Sequence, residues 1–155
     1  KFYDAKNEMK DFSDHYTKLE ELMWNFFQDM PMPEGTSHTR MPFDQFMKYH
    51  KRFEEKLYGI EIVAVDGEKY IGSTEIYVMP KSDPYKAWTG SLGVLREYRR
   101  QGIATALKVK AFEKLREKGI KQVRTDNEEN NPMYLINVAL GFKPEPYCFE
   151  YQKEI

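Results

Sequence analysis

Six consecutive residues, Arg99-Arg100-Gln101-Gly102-Ile103-Ala104, join a β-branched run to an amphipathic one, and that placement gives them a chemistry. The first amides of a helix have no intrahelical carbonyl to bond, and the helix dipole adds partial positive charge at that end. A strand-to-helix corner can therefore bind a diphosphate through main-chain donors. Gly102 and Ala104 put little side chain in the way, Gly102 tolerates backbone angles that other residues resist, and Arg99 and Arg100 add two cations. Taken alone, these residues could equally form a plain strand-to-helix turn with solvated arginines.

Other reactive groups are sparse. His15, His38 and His50 lack a metal-ligand spacing such as His-Glu-x-x-His, and no acid cluster suggests zinc hydrolysis, so no metal is expected. Neither a Lys-Ser/Thr phosphate loop nor a Gly-x-Gly-x-x-Gly fingerprint is present, which argues against common nucleotide-binding modules.

The corner needs elements on both sides of it. Leu19, Leu22, Met23, Phe26 and Phe27 recur at helical spacing between about Ser13 and Asp29, and the segment Pro31 to Gly35 cannot continue that helix. Pro42 fits the first turn of a second helix whose apolar positions are Phe43, Phe46, Met47, Phe53 and Leu57. A short strand around Phe2 and Tyr3 is the most that can precede them. Ile60 to Val65 and Tyr70 to Val78, separated by Asp66-Gly67, predict an antiparallel hairpin. A loop over 80–86 leads to a third run, Trp88 to Leu95. Ala104, Leu107, Ala111 and Leu115 mark one face of a helix from Gly102 to Lys118, with Gly119 as its terminating glycine. Val123 to Thr125 can form a short strand. Asn131-Pro132 reads as a cap and first-turn proline of a last short helix ending at Gly141. Phe149 and Tyr151 alternate with polar residues in a final strand.

Composition sets the bounds. The chain has 155 residues, 41% hydrophobic and 15% aromatic, enough for one compact α/β domain but cramped for two. With 24 Lys plus Arg against 25 Asp plus Glu, it has no electrostatic signature of a nucleic-acid binder. The single cysteine, Cys148, precludes an intramolecular disulfide or a Cys-based zinc cage; a buried structural thiol in a reducing compartment is the expectation. No long apolar run or leader pattern is visible, so the sequence-level expectation is a cytoplasmic location without membrane contact. The sequence opens at Lys1, which suits an excised or processed chain, or one half of a tandem protein.

From Trp88 to Phe142 the chain resembles the cofactor half of GNAT (GCN5-related) N-acetyltransferases. The family writes Val-x-Pro-x-x-(Arg/Gln)-x-x-Gly-x-(Gly/Ala), and this chain reads Val94-Leu95-Arg96-Glu97-Tyr98-Arg99-Arg100-Gln101-Gly102-Ile103-Ala104, departing only at Arg96. Downstream, Asn130, Met133 and Leu140-Gly141-Phe142 follow the spacing of the family's Asn-x-x-Ala, helix and Leu-Gly-Phe. The resemblance implies a single α/β (α+β) domain over 1–155, a mixed twisted sheet flanked by helices and splayed near Val94, with acetyl-CoA as acyl donor. Val94 would offer backbone to the pantetheine arm. Arg99, Arg100, Gln101, Gly102, Ile103, Ala104 and Thr105 would enclose the pyrophosphate, and Asn130 or Asn131 would sit near the pantetheine or thioester. For Asn131, helix capping is an equal alternative.

The implied reaction is direct attack of an amine on the thioester carbonyl, which calls for a base, oxyanion stabilisation and help for the leaving thiolate. Glu75 is the candidate base because its strand borders the acceptor cleft in the family; an exposed strand acid is the alternative. Asn137 occupies the position where many members carry a tyrosine facing the thiolate. Tyr134, nearly one helical turn earlier, could project to a similar region or be a packing aromatic. Trp24, Phe27, Met30, Met32 and Trp88 could line an acceptor pocket or belong to the core. The acceptor would be a small-molecule or protein amine, and the chain a monomer or homodimer. A CoA-binding sensor with little catalysis is the alternative, favoured by Asn137 and the lack of a signature base.

Overall fold

The computed structural model describes residues 1–9, 14–30, 32, 35–56, 59–78, 83–127 and 131–145, with only the backbone described for 53–56. Asn130, Leu57, Cys148 and the expected strand at Phe149 and Tyr151 lie outside the described residues. So do residues 80–82 of the loop expected over 80–86 and the side chain of Phe53.

Strand β1 (Phe2–Asp4) runs into a single π-helical turn (Ala5–Met9), followed by helices α1 (His15–Phe27) and α2 (Phe43–Lys56). Strands β2 (Ile60–Asp66), β3 (Lys69–Val78) and β4 (Lys86–Val94) come next. A 3-10 turn (Arg96–Tyr98), α3 (Ile103–Glu117), β5 (Gln122–Arg124) and α4 (Pro132–Ala139) complete the order. The strands form one five-stranded sheet in sequence order, antiparallel throughout except for the parallel pair β4–β5.

Alternation along the strands sends successive side chains to opposite faces. Ile60, Ile62 and Ala64 of β2, with Ile76 and Val78 of β3, pack under Leu107, Ala111 and Leu115 of α3. Val63, Val65 and Tyr70 meet Leu19, Leu22, Met23 and Phe26 of α1, and Phe46 of α2. Phe26 lies so close to β4 that a Cβ at Gly93 would fall 2.0 Å from its ring, so only glycine fits there. Burying a ring of this size stabilises the layer by roughly 1.5–3 kcal/mol.

Local signals set the helix ends. Asn131 caps α4 through its side-chain oxygen, which accepts from the Met133 N–H at 2.9 Å, and Pro132 occupies the first turn. Gly119 and Gly141, at φ 76° and 87°, follow α3 and α4 in the left-handed region that glycine enters without steric cost. Two expectations change. Phe43 is 47% exposed, stacked on Phe46, and the polar His50 takes a buried place on the inner face of α2 at 1% exposure. Met30 and Met32 are both more than 40% exposed, so they are not core. Among the described residues no helix is long and apolar enough to cross a membrane.

Candidate functional site

Strand β4 is half covered. Among the described residues strand β5 pairs only with Lys86, Ala87 and Trp88, and the last link is Thr89 Oγ1 to Thr125 Oγ1 at 2.6 Å. Beyond it the register with β3 decides where main-chain groups point. Val94 stands opposite Gly72 while the Leu95 N–H reaches the Ile71 carbonyl at 2.9 Å. That combination makes Val94 a non-hydrogen-bonded position, and Leu92, two residues earlier, is another. The N–H and C=O of both therefore face away from β3, toward the gap that β5 has left. This is the splay expected near Val94. The Val94 carbonyl is met there by Arg99 Nε at 2.9 Å.

The gap leads to the Arg99–Ala104 corner. After the 3-10 turn, Arg99 is extended, Arg100 is left-handed at φ 62°, and Gly102 is left-handed at φ 77° as the residue capping α3. No side chain caps α3, and the backbone bond that closes its first turn runs from Ala106 N–H to Gly102 O at 3.0 Å. The N–H groups of Gly102, Ile103, Ala104 and Thr105 are thus the open donors of the helix start. The expected pair of free arginines is not what forms. Arg96 and Arg99 both bind the carboxylate of Asp29, just past the end of α1, and hold it far below the usual carboxylate range. The Arg99 N–H also donates to Arg96 O at 3.3 Å. Arg99 therefore acts as a brace between α1 and β4, and Arg96, where the family pattern has proline, is the other half of that brace. Arg100 has no ion pair among the described residues, and Gln101 Nε2 donates to Glu97 O at 3.4 Å.

Glu75 is not an exposed strand acid; it is 2% exposed, on the sheet face covered by α1 and α2. The register places Thr74 opposite Leu92 and Ile76 opposite Thr89. Gly90 and Ser91 together therefore oppose Glu75 in a β-bulge, a device that re-aims side chains. Ser91 Oγ donates to Glu75 Oε2 at 2.7 Å. Burial pushes the Glu75 carboxyl up from its ordinary value, and the Ser91 hydrogen bond only partly opposes this. Next to it lie Glu61 of β2 and His50 of α2, 6% and 1% exposed, with His50 Nδ1 3.8 Å from Glu61 Oε2. Burial pulls the His50 imidazole down to about 4, so it is neutral near pH 7. Tyr49 is 44% exposed as a residue, and partial burial of its hydroxyl, with the charges of Glu75 and Glu61, raises it. Sequence reasoning missed His50 and Glu61 because nothing in their spacing joins them to Glu75; only the sheet register and the packing of α2 do.

On α4, Asn137 is 4% exposed. Its Oδ1 accepts from Lys108 Nζ of α3 at 2.5 Å, and its Nδ2 donates to Asn127 Oδ1. Lys108, 3% exposed, also sits 5.4 Å from the Phe142 ring centroid. Burial pulls its ammonium down to about 8. Lys108 went unnoticed in the sequence because lysines on helices are normally solvated. Tyr134, three residues before Asn137 on the same helix, is 39% exposed.

Residues 16–142 match the Acetyltransferase (GNAT) family. No curated protein matches the sequence. Among solved structures, the chain is similar to a possible acetyltransferase from Clostridium difficile 630, with 18% identity over 100% of this chain and 97% of that one, at a TM-score of 0.71. It is also similar to the aminoglycoside antibiotic 6'-N-acetyltransferase AAC(6')-IG from Acinetobacter haemolyticus (17%, 100% and 99%, 0.68). A third is AAC(6')-Iy in complex with a bisubstrate analogue, CoA-S-monomethyl-acetylneamine (16%, 92% and 94%, 0.67).

Proposed function

Since the chain belongs to the GNAT acetyltransferase family, we propose that it transfers an acetyl group directly from acetyl-CoA to an amine. The observation that carries this reading is the edge of β4 at Leu92 and Val94, which no strand covers among the described residues and which leads to the open amides of Gly102 to Thr105. An extended pantetheine arm can pair with the first, and a diphosphate can accept from the second. Ile103 and Ala104 contribute backbone, Arg100 is the uncommitted cation, and Gln101 flanks the turn.

The acceptor amine attacks the thioester carbonyl and loses a proton to the Glu75 carboxylate, directly or through the Ser91 hydroxyl that already bonds it. A carboxyl raised by burial is a stronger base than a solvated one, which suits proton abstraction near neutral pH. As the C–S bond breaks, the thiolate takes a proton. At the position where the family often has tyrosine, this chain presents Asn137 carrying the Lys108 ammonium, so Lys108 supplies that proton with Asn137 holding it. Tyr134, exposed three residues earlier on α4, stays available for acceptor contact.

Two of the similar structures are aminoglycoside acetyltransferases, so polyamine and aminocyclitol amines are the first acceptors to test. The experiment is calorimetric titration with acetyl-CoA against ATP, followed by release of free CoA with a panel of such amines. Saturable acetyl-CoA binding with acceptor-dependent CoA release supports the reading; a folded sample that binds neither ligand overturns it. Binding without turnover on any amine would favour the sensor alternative, in which Asn137 and Lys108 serve only packing.

A further inference from the structure

The cluster of His50, Glu61 and Glu75 has a composition that folding alone does not explain. Glu61 and Glu75 are direct cross-strand partners on β2 and β3, and like charges directly opposite on one face are destabilising. Both are buried, where an ionised carboxylate is costlier still. Above them His50 is 1% exposed, and neither of its ring nitrogens has a hydrogen-bond partner among the described residues. Glu75 Oε1, on the side away from Ser91, has none either. Buried polar groups are nearly always satisfied, so each such atom calls for a reason.

A shared proton between the two carboxyls would relieve their repulsion but leave both His50 nitrogens unmet. A protonated His50 would balance one carboxylate, yet at 3.8 Å its Nδ1 makes no hydrogen bond to Glu61. A divalent cation engages all three residues at once, taking one His50 nitrogen and an oxygen of each carboxylate. One donor atom from each residue lies within 4.8 Å of the others. Metal–ligand bonds of about 2.0–2.2 Å bring donors to within about 4 Å of one another, so a small side-chain rotation closes the set. Two carboxylates match the charge of a divalent ion, and one imidazole with two carboxylates is a borderline donor set suited to first-row transition ions.

We infer that His50, Glu61 and Glu75 form a binding site for a divalent transition-metal cation such as zinc, built across α2, β2 and β3. The site does not rest on the acetyl-transfer reading. An ion there would engage the carboxylate assigned to the amine proton, so bound zinc should also lower acetyl transfer.

The test is calorimetric titration of Zn2+ into the metal-stripped full chain, with Co2+ absorption as a spectroscopic reporter of coordination. One zinc per chain is expected. His50→Gln and Glu61→Gln should each weaken zinc binding by about a hundredfold or more, since even outer-shell partners are worth about 10–100-fold. His38→Ala, at an exposed histidine on another part of the surface, should change nothing. Circular dichroism verifies that each variant is folded, and Glu61→Gln, the near-isosteric change, keeps the test decisive if His50→Gln does not fold. No zinc binding by the folded wild type overturns the inference, as does unchanged affinity in a folded Glu61→Gln, or loss of binding in His38→Ala, which would mark an adventitious surface ion. Zinc binding that leaves turnover unaffected would uphold the site and instead remove Glu75 from the role of base.

Discussion

The Arg99–Ala104 corner and the His50–Glu61–Glu75 cluster sit at opposite extremes of construction. The corner is made from consecutive residues, works through main-chain groups, and is open to solvent at Arg100, Gln101 and Gly102. The cluster is made from three elements, works through side chains, and is closed beneath α2. Ser91 bridges them in the fold, lying on β4 between the free edge and Glu75. Under the proposed function the difference is a division of labour: binding energy from backbone geometry at one end, and proton affinity set by burial at the other. Changes at one end should leave the other intact.

Glu75→Gln puts the largest strain on that division. It keeps side-chain volume and removes the proton acceptor, so turnover should fall by about 10²–10⁴-fold, the usual worth of a positioned acid or base. The acetyl-CoA dissociation constant, measured by titration, should stay within error. A parallel loss of cofactor affinity would mean the two regions are one site. Unchanged turnover would leave the base role to solvent.

Lys108 gives the next effect, in stability. Its folded-state pKa of about 8 lies below the ordinary lysine value of 10.5. Between those limits the unfolded chain binds more protons than the folded one, so stability rises with pH across this window and the gain is lost as pH falls through about 8. At about 1.4 kcal/mol per pH unit the span is on the order of 3 kcal/mol or slightly more. Urea unfolding of wild type against Lys108→Gln from pH 7.5 to 10.5 should therefore show a slope in the wild type that the variant lacks. Parallel curves would mean the ammonium is solvated. If Lys108 also serves the thiolate, turnover in this variant should drop while acetyl-CoA affinity holds.

How legible each region was in the sequence follows the same contrast. Helix starts, glycine-terminated ends, the Asp66-Gly67 turn and the Arg99–Ala104 corner depend on residues a few positions apart, and local rules find them. The family pattern around that corner was legible for the same reason, and the resemblance extended it to the splay near Val94. What escaped was long-range. The Asp29 brace reaches 67 and 70 residues along the chain to Arg96 and Arg99, and the Lys108–Asn137 bond spans 29. The bulge that turns Ser91 onto Glu75 exists only as a register shift between two strands. A helical periodicity rule assigned Phe43 to the inside of α2 and had no means of seeing that His50 would be taken there to meet two carboxylates.

At the corner, Gly102→Asn separates backbone tolerance from ligand access. Asparagine enters the left-handed region more readily than most residues, and a Cβ at Gly102 meets no protein atom within 4 Å. The fold should therefore persist with a thermal midpoint near wild type. The added side chain projects where the diphosphate would approach, and acetyl-CoA binding should weaken by about tenfold, equivalent to about 1.4 kcal/mol. Equal affinity would shift the diphosphate away from the start of α3.

The smallest effect should come from Asn131, whose two readings the structure allows to be set against each other. Its Oδ1 already accepts from the Met133 N–H at 2.9 Å, and Pro132 follows in the first turn, so its visible work is capping α4. Asn131→Ala leaves that N–H unmet and should cost about 1 kcal/mol of stability. The loss should appear in urea unfolding, with little change in acetyl-CoA affinity once the sample is fully folded. Because α4 also carries Asn137, a frayed first turn could disturb the Lys108 contact. Asn131→Asp restores the acceptor without the amide N–H donors and should recover the stability. If Asp restores stability but not cofactor affinity, the amide donors reach the ligand, and Asn131 belongs to the cofactor site as well as to the cap.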